Sequence, residues 1–73
     1  MKAWQERVVQ ERDKLEKKLT KLNAFLEAPE KTDTLQRADV VLLERQRFAM
    51  TEYLNVLNMR IMWFDPSKVA DTK

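Results

Sequence analysis

The chain has 73 residues, which allows at most one domain with a proportionally small core. It contains no cysteine, histidine or glycine, so disulfides, the usual general base and glycine-rich phosphate loops are excluded. The 14 basic and 12 acidic residues leave a formal net charge of +2, far from the excess of a dedicated nucleic-acid binder. Oligomerisation remains as the means of stabilising so small a fold.

The first predicted element is a helix over residues 3–27. Straight-chain helix formers dominate this segment, and neither proline nor glycine interrupts it before Pro29. Gln5 and Arg12 interrupt the apolar heptad pattern. The pattern predicts an amphipathic helix with one apolar seam that needs a partner. Its apolar positions are Val8, Leu15, Leu19, Leu22 and Leu26.

Residues 28–34 have the composition of a polar loop. Pro29 ends the first helix, and either Asp33 or Thr34 could cap the next one. The second helix is predicted over residues 35–64, where Asp65 and Pro66 stop it. Residues 67–73 are predicted to be a flexible C-terminal tail.

The second helix carries apolar residues far beyond one heptad seam. Since one partner helix cannot cover so wide a face, we expect the chain to pack against copies of itself. The seam positions are Val40, Leu43, Met50, Leu54, Leu57, Ile61 and Phe64, and the additional apolar residues are Val41, Leu42, Phe48, Ala49, Tyr53, Val56, Met59, Met62 and Trp63.

Together these elements predict an all-α fold: an antiparallel, coiled-coil-like two-helix hairpin over residues 1–66 that assembles into a homo-oligomeric helical bundle. In the expected register Arg12 lies near Leu54, and Trp4 meets residues 61–63. No apolar run approaches the roughly 18 residues needed to span a bilayer. The first ten residues also lack the apolar core of a signal peptide, so we expect a cytoplasmic protein.

Cations are the first candidate ligand-binding residues. Lysines cluster within two turns of the first helix, and arginines of the second helix approach them in the expected register. Converging cations could bind phosphate. The alternative is a solvated face with ordinary intrahelical pairs such as Asp13 with Lys17. The candidate phosphate-binding residues are Lys14, Lys18, Lys21, Arg45 and Arg47.

Aromatic residues beside these arginines are candidates for stacking on a base. Phe48 and Tyr53 are the two we select, although aromatics at helical spacing more often belong to a core or an oligomer interface. The acidic residues are scattered among cations, so no carboxylate pair suggests acid and base catalysis. We therefore expect no enzyme activity, catalytic residue, metal or cofactor.

A longer pattern resembles a family of small bacteriophage proteins related to one from crAss-like phages. The resemblance covers most of residues 4–64 and includes the run from Leu42 to Gln46. It is carried by Trp4-Gln5-Glu6-Arg7-Val8 with Glu11, Leu15, Lys18, Leu19, Leu22, Phe25 and Leu26, then by Leu42-Leu43-Glu44-Arg45-Gln46 with Met50, Tyr53, Val56, Leu57, Arg60 and Ile61. It implies a non-enzymatic phage accessory protein that counters host defence in the host bacterial cytoplasm.

Three functions are compatible with these features. The leading hypothesis is a homo-oligomer that sequesters an anionic nucleotide signal, such as a cyclic dinucleotide or a cyclic ADP-ribose isomer, at pockets between protomers. The alternative is a protein-interaction module that lays the apolar face of its second helix into a host protein and inhibits or redirects it. Nucleic-acid binding along the lysines is disfavoured by the nearly balanced charge.

Overall fold

The computed structural model describes residues 1–69, and the regular secondary structure in that range is helical, with no strand. Helix α1 spans Ala3–Leu26, α2 spans Pro29–Thr32 and α3 spans Arg37–Phe64, followed by a 3-10 turn at Pro66–Val69. The molecule is a rod of 45 × 21 × 14 Å. The predicted all-α class is confirmed, and none of the helices in the described range is long and apolar enough to cross a membrane.

Helices α1 and α3 run antiparallel and form a hairpin. The rings of Trp4 and Phe64 meet edge to face with their centroids 5.6 Å apart, which joins the start of α1 to the end of α3. Farther along, Arg12 Nη1 donates a hydrogen bond to Asn58 Oδ1 at 2.9 Å. Arg12 therefore reaches one turn beyond the predicted Leu54, because its guanidinium also bonds to the chain that follows α3.

The core lies at the open end of the hairpin, away from the connection between the helices. Leu57 and Ile61 of α3 are 1% and 0% exposed, and Val8 and Leu15 of α1 pack with them. All four were predicted seam positions. Half-buried side chains pack around this cluster, namely Val9, Met50, Leu54 and Phe64.

The connection between the long helices contains the short helix α2 inside the predicted loop 28–34. Pro29 occupies its first turn, where the fixed φ of proline suits a helix and no backbone donor is lost. Neither Asp33 nor Thr34 caps α3, which begins after Gln36. The Thr34 hydroxyl instead donates to the carbonyl of Lys31 at 2.8 Å, so it is already engaged in closing α2.

The chain after α3 departs from the predicted flexible tail. Pro66–Val69 forms a 3-10 turn in which the Ser67 hydroxyl donates to Asp65 Oδ1 at 2.6 Å and Lys68 N donates to Asp65 O at 3.1 Å. Val69 is 6% exposed and belongs to the core. The prediction is therefore corrected for residues 67–69, because a proline that stops an α-helix can begin a 3-10 turn. Residues 70–73 of the predicted tail lie outside the described range.

Candidate functional site

A cleft of about 460 Å³ lies along α1 where Tyr53 of α3 approaches it. This volume falls within the range of small-molecule sites, which is roughly 300–1,000 Å³. Steps of three and four residues place its α1 side chains on one side of the helix. The lining residues are Arg7, Gln10, Glu11, Lys14, Leu15, Lys18 and Tyr53.

Positive charge dominates the lining of this cleft. Arg7, Lys14 and Lys18 contribute three cations, and Glu11 is its single carboxylate. Within residues 1–69 the ion pair formed is Arg12 with Asp13, so the three cleft cations are not engaged by a carboxylate of the described chain. From Arg7 to Lys18 the row extends roughly 16 Å at 1.5 Å per residue. The cleft thus presents a row of available cations to an anion.

Tyr53 supplies an aromatic surface at the edge of the cleft, and Leu15 supplies a buried apolar floor. The Tyr53 side chain is 45% exposed. A ring that is exposed on one face can stack on a planar ligand, and each base stacked in this way contributes roughly 1–3 kcal/mol. The cleft therefore combines cations with one stacking surface.

The structure unites some of the predicted site residues and separates others. Lys14, Lys18 and Tyr53 share the cleft. Lys21 lines a different concavity of about 400 Å³ with Glu16, Lys17 and Thr20. Lys21 continues the row of Lys14 and Lys18 by one more step of three residues, but it lies beyond the end of the cleft, whose lining on α1 stops at Lys18.

The predicted site residues of α3 also lie at different places on the surface. Arg45 and Phe48 line a shallow groove of about 420 Å³ with Val41, Glu44 and Ala49, and Arg47 is half-buried. The groove is lined by residues of α3 alone, whereas six of the seven residues around the cleft belong to α1. One chain alone therefore does not gather the predicted phosphate-binding set around one pocket.

Sequence reasoning missed Arg7 and Glu11. Both were readable from spacing, since positions 7, 11, 14 and 18 repeat at steps of four, three and four. The run of lysines led to Lys21 instead, which continues this spacing but lies beyond the cleft. Helical spacing is the signal that would have found Arg7.

Arg12 is a structural residue of α1 outside the lining of the cleft. Its Nε donates to Asp13 Oδ1 at 2.8 Å, and its Nη1 donates to both Asn58 Oδ1 at 2.9 Å and Lys68 O at 3.1 Å. Asp13 thus pairs with Arg12 and not with Lys17. One guanidinium joins α1, α3 and the 3-10 turn, and it holds the middle of α1 against α3.

Residues 1–69 contain no group of three or more histidine, cysteine, aspartate or glutamate side chains placed to hold a metal ion. Searches of curated proteins and of solved structures gave no match. A model of the family Sequestin matches residues 2–62. Since that match covers most of the chain, the protein belongs to the Sequestin family, whose name is consistent with a sequestering role.

Proposed function

We propose that this protein binds an anionic nucleotide signal and sequesters it without converting it, in a homo-oligomer whose pockets lie between protomers. The observation that carries the proposal is the cleft in which Arg7, Lys14 and Lys18 meet Tyr53. Cations that no carboxylate engages, beside an exposed ring, provide the two contacts that a nucleotide needs, one for phosphate and one for the base.

The spacing of the cations favours a ligand with more than one phosphate. Lys14 and Lys18 are one turn apart, roughly 6 Å, and Arg7 is two turns from Lys14, roughly 10 Å. Such a row can contact two phosphates of one molecule, as in a cyclic dinucleotide or a cyclic ADP-ribose isomer. A single inorganic phosphate uses only part of it.

Glu11 favours a nucleotide over a bare polyphosphate. Its carboxylate lines the same cleft as the three cations and repels phosphate. A carboxylate does, however, accept hydrogen bonds from ribose hydroxyls, as acidic residues do in dinucleotide-binding folds. A ligand that offers both phosphates and hydroxyls satisfies the whole lining.

The proposal of sequestration without turnover is supported by the residue types of the sequence. The sequence has no histidine or cysteine to act as base or nucleophile. In this proposal the protein is a bacteriophage accessory protein that acts in the bacterial cytoplasm, where it lowers the free concentration of an immune signal. The family name supports the sequestering part of the proposal, and the resemblance to phage proteins supports the rest.

Isothermal titration calorimetry with cyclic dinucleotides and cyclic ADP-ribose isomers tests the proposal. We expect saturable binding, and we expect the ligand to be recovered unchanged by mass spectrometry after the protein is denatured. Lys18→Gln should weaken binding at least tenfold, and Lys31→Gln, which removes the same charge from exposed α2, should not. If none of these nucleotides binds, the proposal is wrong, and a chemically altered ligand would indicate an enzyme.

A second function is favoured by the exposed apolar residues of α3. Phe48 is 69% exposed and Trp63 is 90% exposed. Large apolar side chains that are exposed together on one surface are typical of a binding site for another protein. Such a face can bind a host protein. In that case, substitution of Phe48 or Met59 abolishes capture of the host protein, and no nucleotide binds the wild-type protein.

A further inference from the structure

The outer side of α3, opposite the core, carries an apolar stripe with one charge of each sign. Its residues are spaced by three or four, so they line one side of the helix. All of them are exposed. The stripe consists of Val41, Arg45, Phe48, Glu52, Val56, Met59 and Trp63.

We propose that this stripe is the interface between two copies of the chain, which pair through α3 in antiparallel orientation about a two-fold axis between Phe48 and Ala49. The inference rests on the proposed function in one respect, because that function places its pockets between protomers. In a two-fold interface each contact between two different residues occurs twice, once from each copy. Here Arg45 of each copy faces Glu52 of the other.

Charge selects this register over its neighbours. Moving one helix by a heptad places either Arg45 opposite Arg45 or Glu52 opposite Glu52, and parallel pairing in register places both like pairs together. Like charges in an interface are repulsive. Within residues 1–69 neither Arg45 nor Glu52 has an ion-pair or side-chain hydrogen-bond partner of its own, so both are available to a second copy.

Side-chain size fits the same register. Phe48, the largest side chain near the axis, faces Ala49 of the second copy, and Val41 faces Val56. Farther out, Met59 faces Ala38. A large side chain thus meets a small one in two of these pairs, which lets the helices approach closely. The exposed fractions of Phe48 and Met59, 69% and 56%, are what this pairing removes from water.

The same pairing completes the candidate pocket. Tyr53 lines the cleft on α1 and lies on the flank of the stripe. In the antiparallel register it is adjacent to Arg45 of the second copy, because matching flanks of two antiparallel helices meet. Arg45 of the second copy then becomes a fourth cation beside Lys14, Lys18 and Tyr53. Within one chain, Arg45 and these three residues line two separate concavities.

Charge reversal tests the interface in the full-length protein. Sedimentation equilibrium should give a dimer or a multiple of it for the wild type. Arg45→Glu alone and Glu52→Arg alone should each weaken self-association at least roughly tenfold, since each places like charges opposite one another. An equimolar mixture of the two variants should restore it, because each chain then offers the charge that the other lacks.

Helix content by circular dichroism should stay unchanged in both variants, since both positions are exposed. Glu30→Arg, a reversal on α2 outside the stripe, is the matched control and should self-associate like the wild type. A monomeric wild type, single variants that associate normally, or a mixture that fails to associate overturns the interface.

Nucleotide titration of the same variants separates the interface from the function. A dimer that binds no nucleotide refutes the proposed function and leaves the interface standing. Nucleotide binding by a wild-type monomer refutes the interface and the placement of the pockets between protomers, and leaves nucleotide sequestration itself standing. If the interface and the nucleotide binding are both correct, Arg45→Glu should also lose nucleotide affinity, and its mixture with Glu52→Arg should recover part of that affinity.

Discussion

Replacing Arg12 by alanine should destabilise the hairpin more than any other arginine substitution outside the proposed interface. Arg12 joins α1 to Asn58 of α3 and to the carbonyl of Lys68. Its side chain is 12% exposed, so water replaces these contacts poorly. Hydrogen bonds to charged groups contribute about 1.5–3 kcal/mol each, and Arg12→Ala leaves the Asn58 amide short of its partner.

Partial hydration of the freed groups reduces the combined loss to about 2 kcal/mol. A domain of this size has roughly 4–11 kcal/mol of stability in all, so the loss is a large fraction. At about 4–8 °C per kcal/mol, the midpoint of thermal unfolding should fall by about 8–16 °C. Circular dichroism at 222 nm measures the midpoint, with protein concentration held fixed because the proposed self-association would shift it.

Arg60→Ala is the matched control, since Arg60 is an exposed arginine on α3, and it should change the midpoint by less than about 3 °C. A double-mutant cycle with Asn58→Ala isolates the contact between the two side chains. The role of Arg12 is refuted if the Arg12→Ala and Arg60→Ala variants unfold at the same temperature, or if the cycle gives no coupling energy between Arg12 and Asn58. Amide exchange at Val69 should also accelerate in Arg12→Ala, because the 3-10 turn loses its tie to α1.

Three further predictions concern the core, the surface and the cleft. Ile61→Ala should cost about 2–5 kcal/mol of unfolding free energy by chemical denaturation, since Ile61 is fully buried; a cost below about 1 kcal/mol contradicts the core described here. Trp63→Ser should change the thermal midpoint of the dilute protein by less than about 3 °C, because the side chain is 90% exposed; a larger loss would show that Trp63 packs within the chain. Nucleotide affinity should fall as salt rises from 50 to 300 mM, and affinity should depend less steeply on salt in Lys14→Gln. An affinity that does not depend on salt would show that the cations do not contribute to binding.

Much of the fold was predictable because heptad spacing and proline leave few alternatives. The predicted seam residues Val8, Leu15, Leu57 and Ile61 form the core. Val69 was missed because one apolar residue after a proline stop carries no periodicity. The three bonds of Arg12 were missed for a related reason, since one of them depends on the fold of the 3-10 turn.

The site was less predictable than the fold. Lys14, Lys18 and Tyr53 came together around one cleft, since a helical row of cations is visible in sequence. Lys21 did not join them, because the cleft ends at Lys18, three residues earlier on α1. Arg45 stands apart because it lines the groove on α3, which includes no residue of α1.

The placement of the core at the open end of the hairpin determines how the chain has to fold. The contact of Arg12 with Asn58 spans 46 positions of sequence, and Trp4 meets Phe64 at a greater separation still. Few buried residues lie near the connection, so pairing of the helices that starts at the connection buries little apolar surface in its early steps. The chain must close a loop of most of its length before its best contacts form, and the closure entropy is lost first. We therefore expect slower folding than is usual for helical domains of this size, with a transition state that already holds both ends of the chain together.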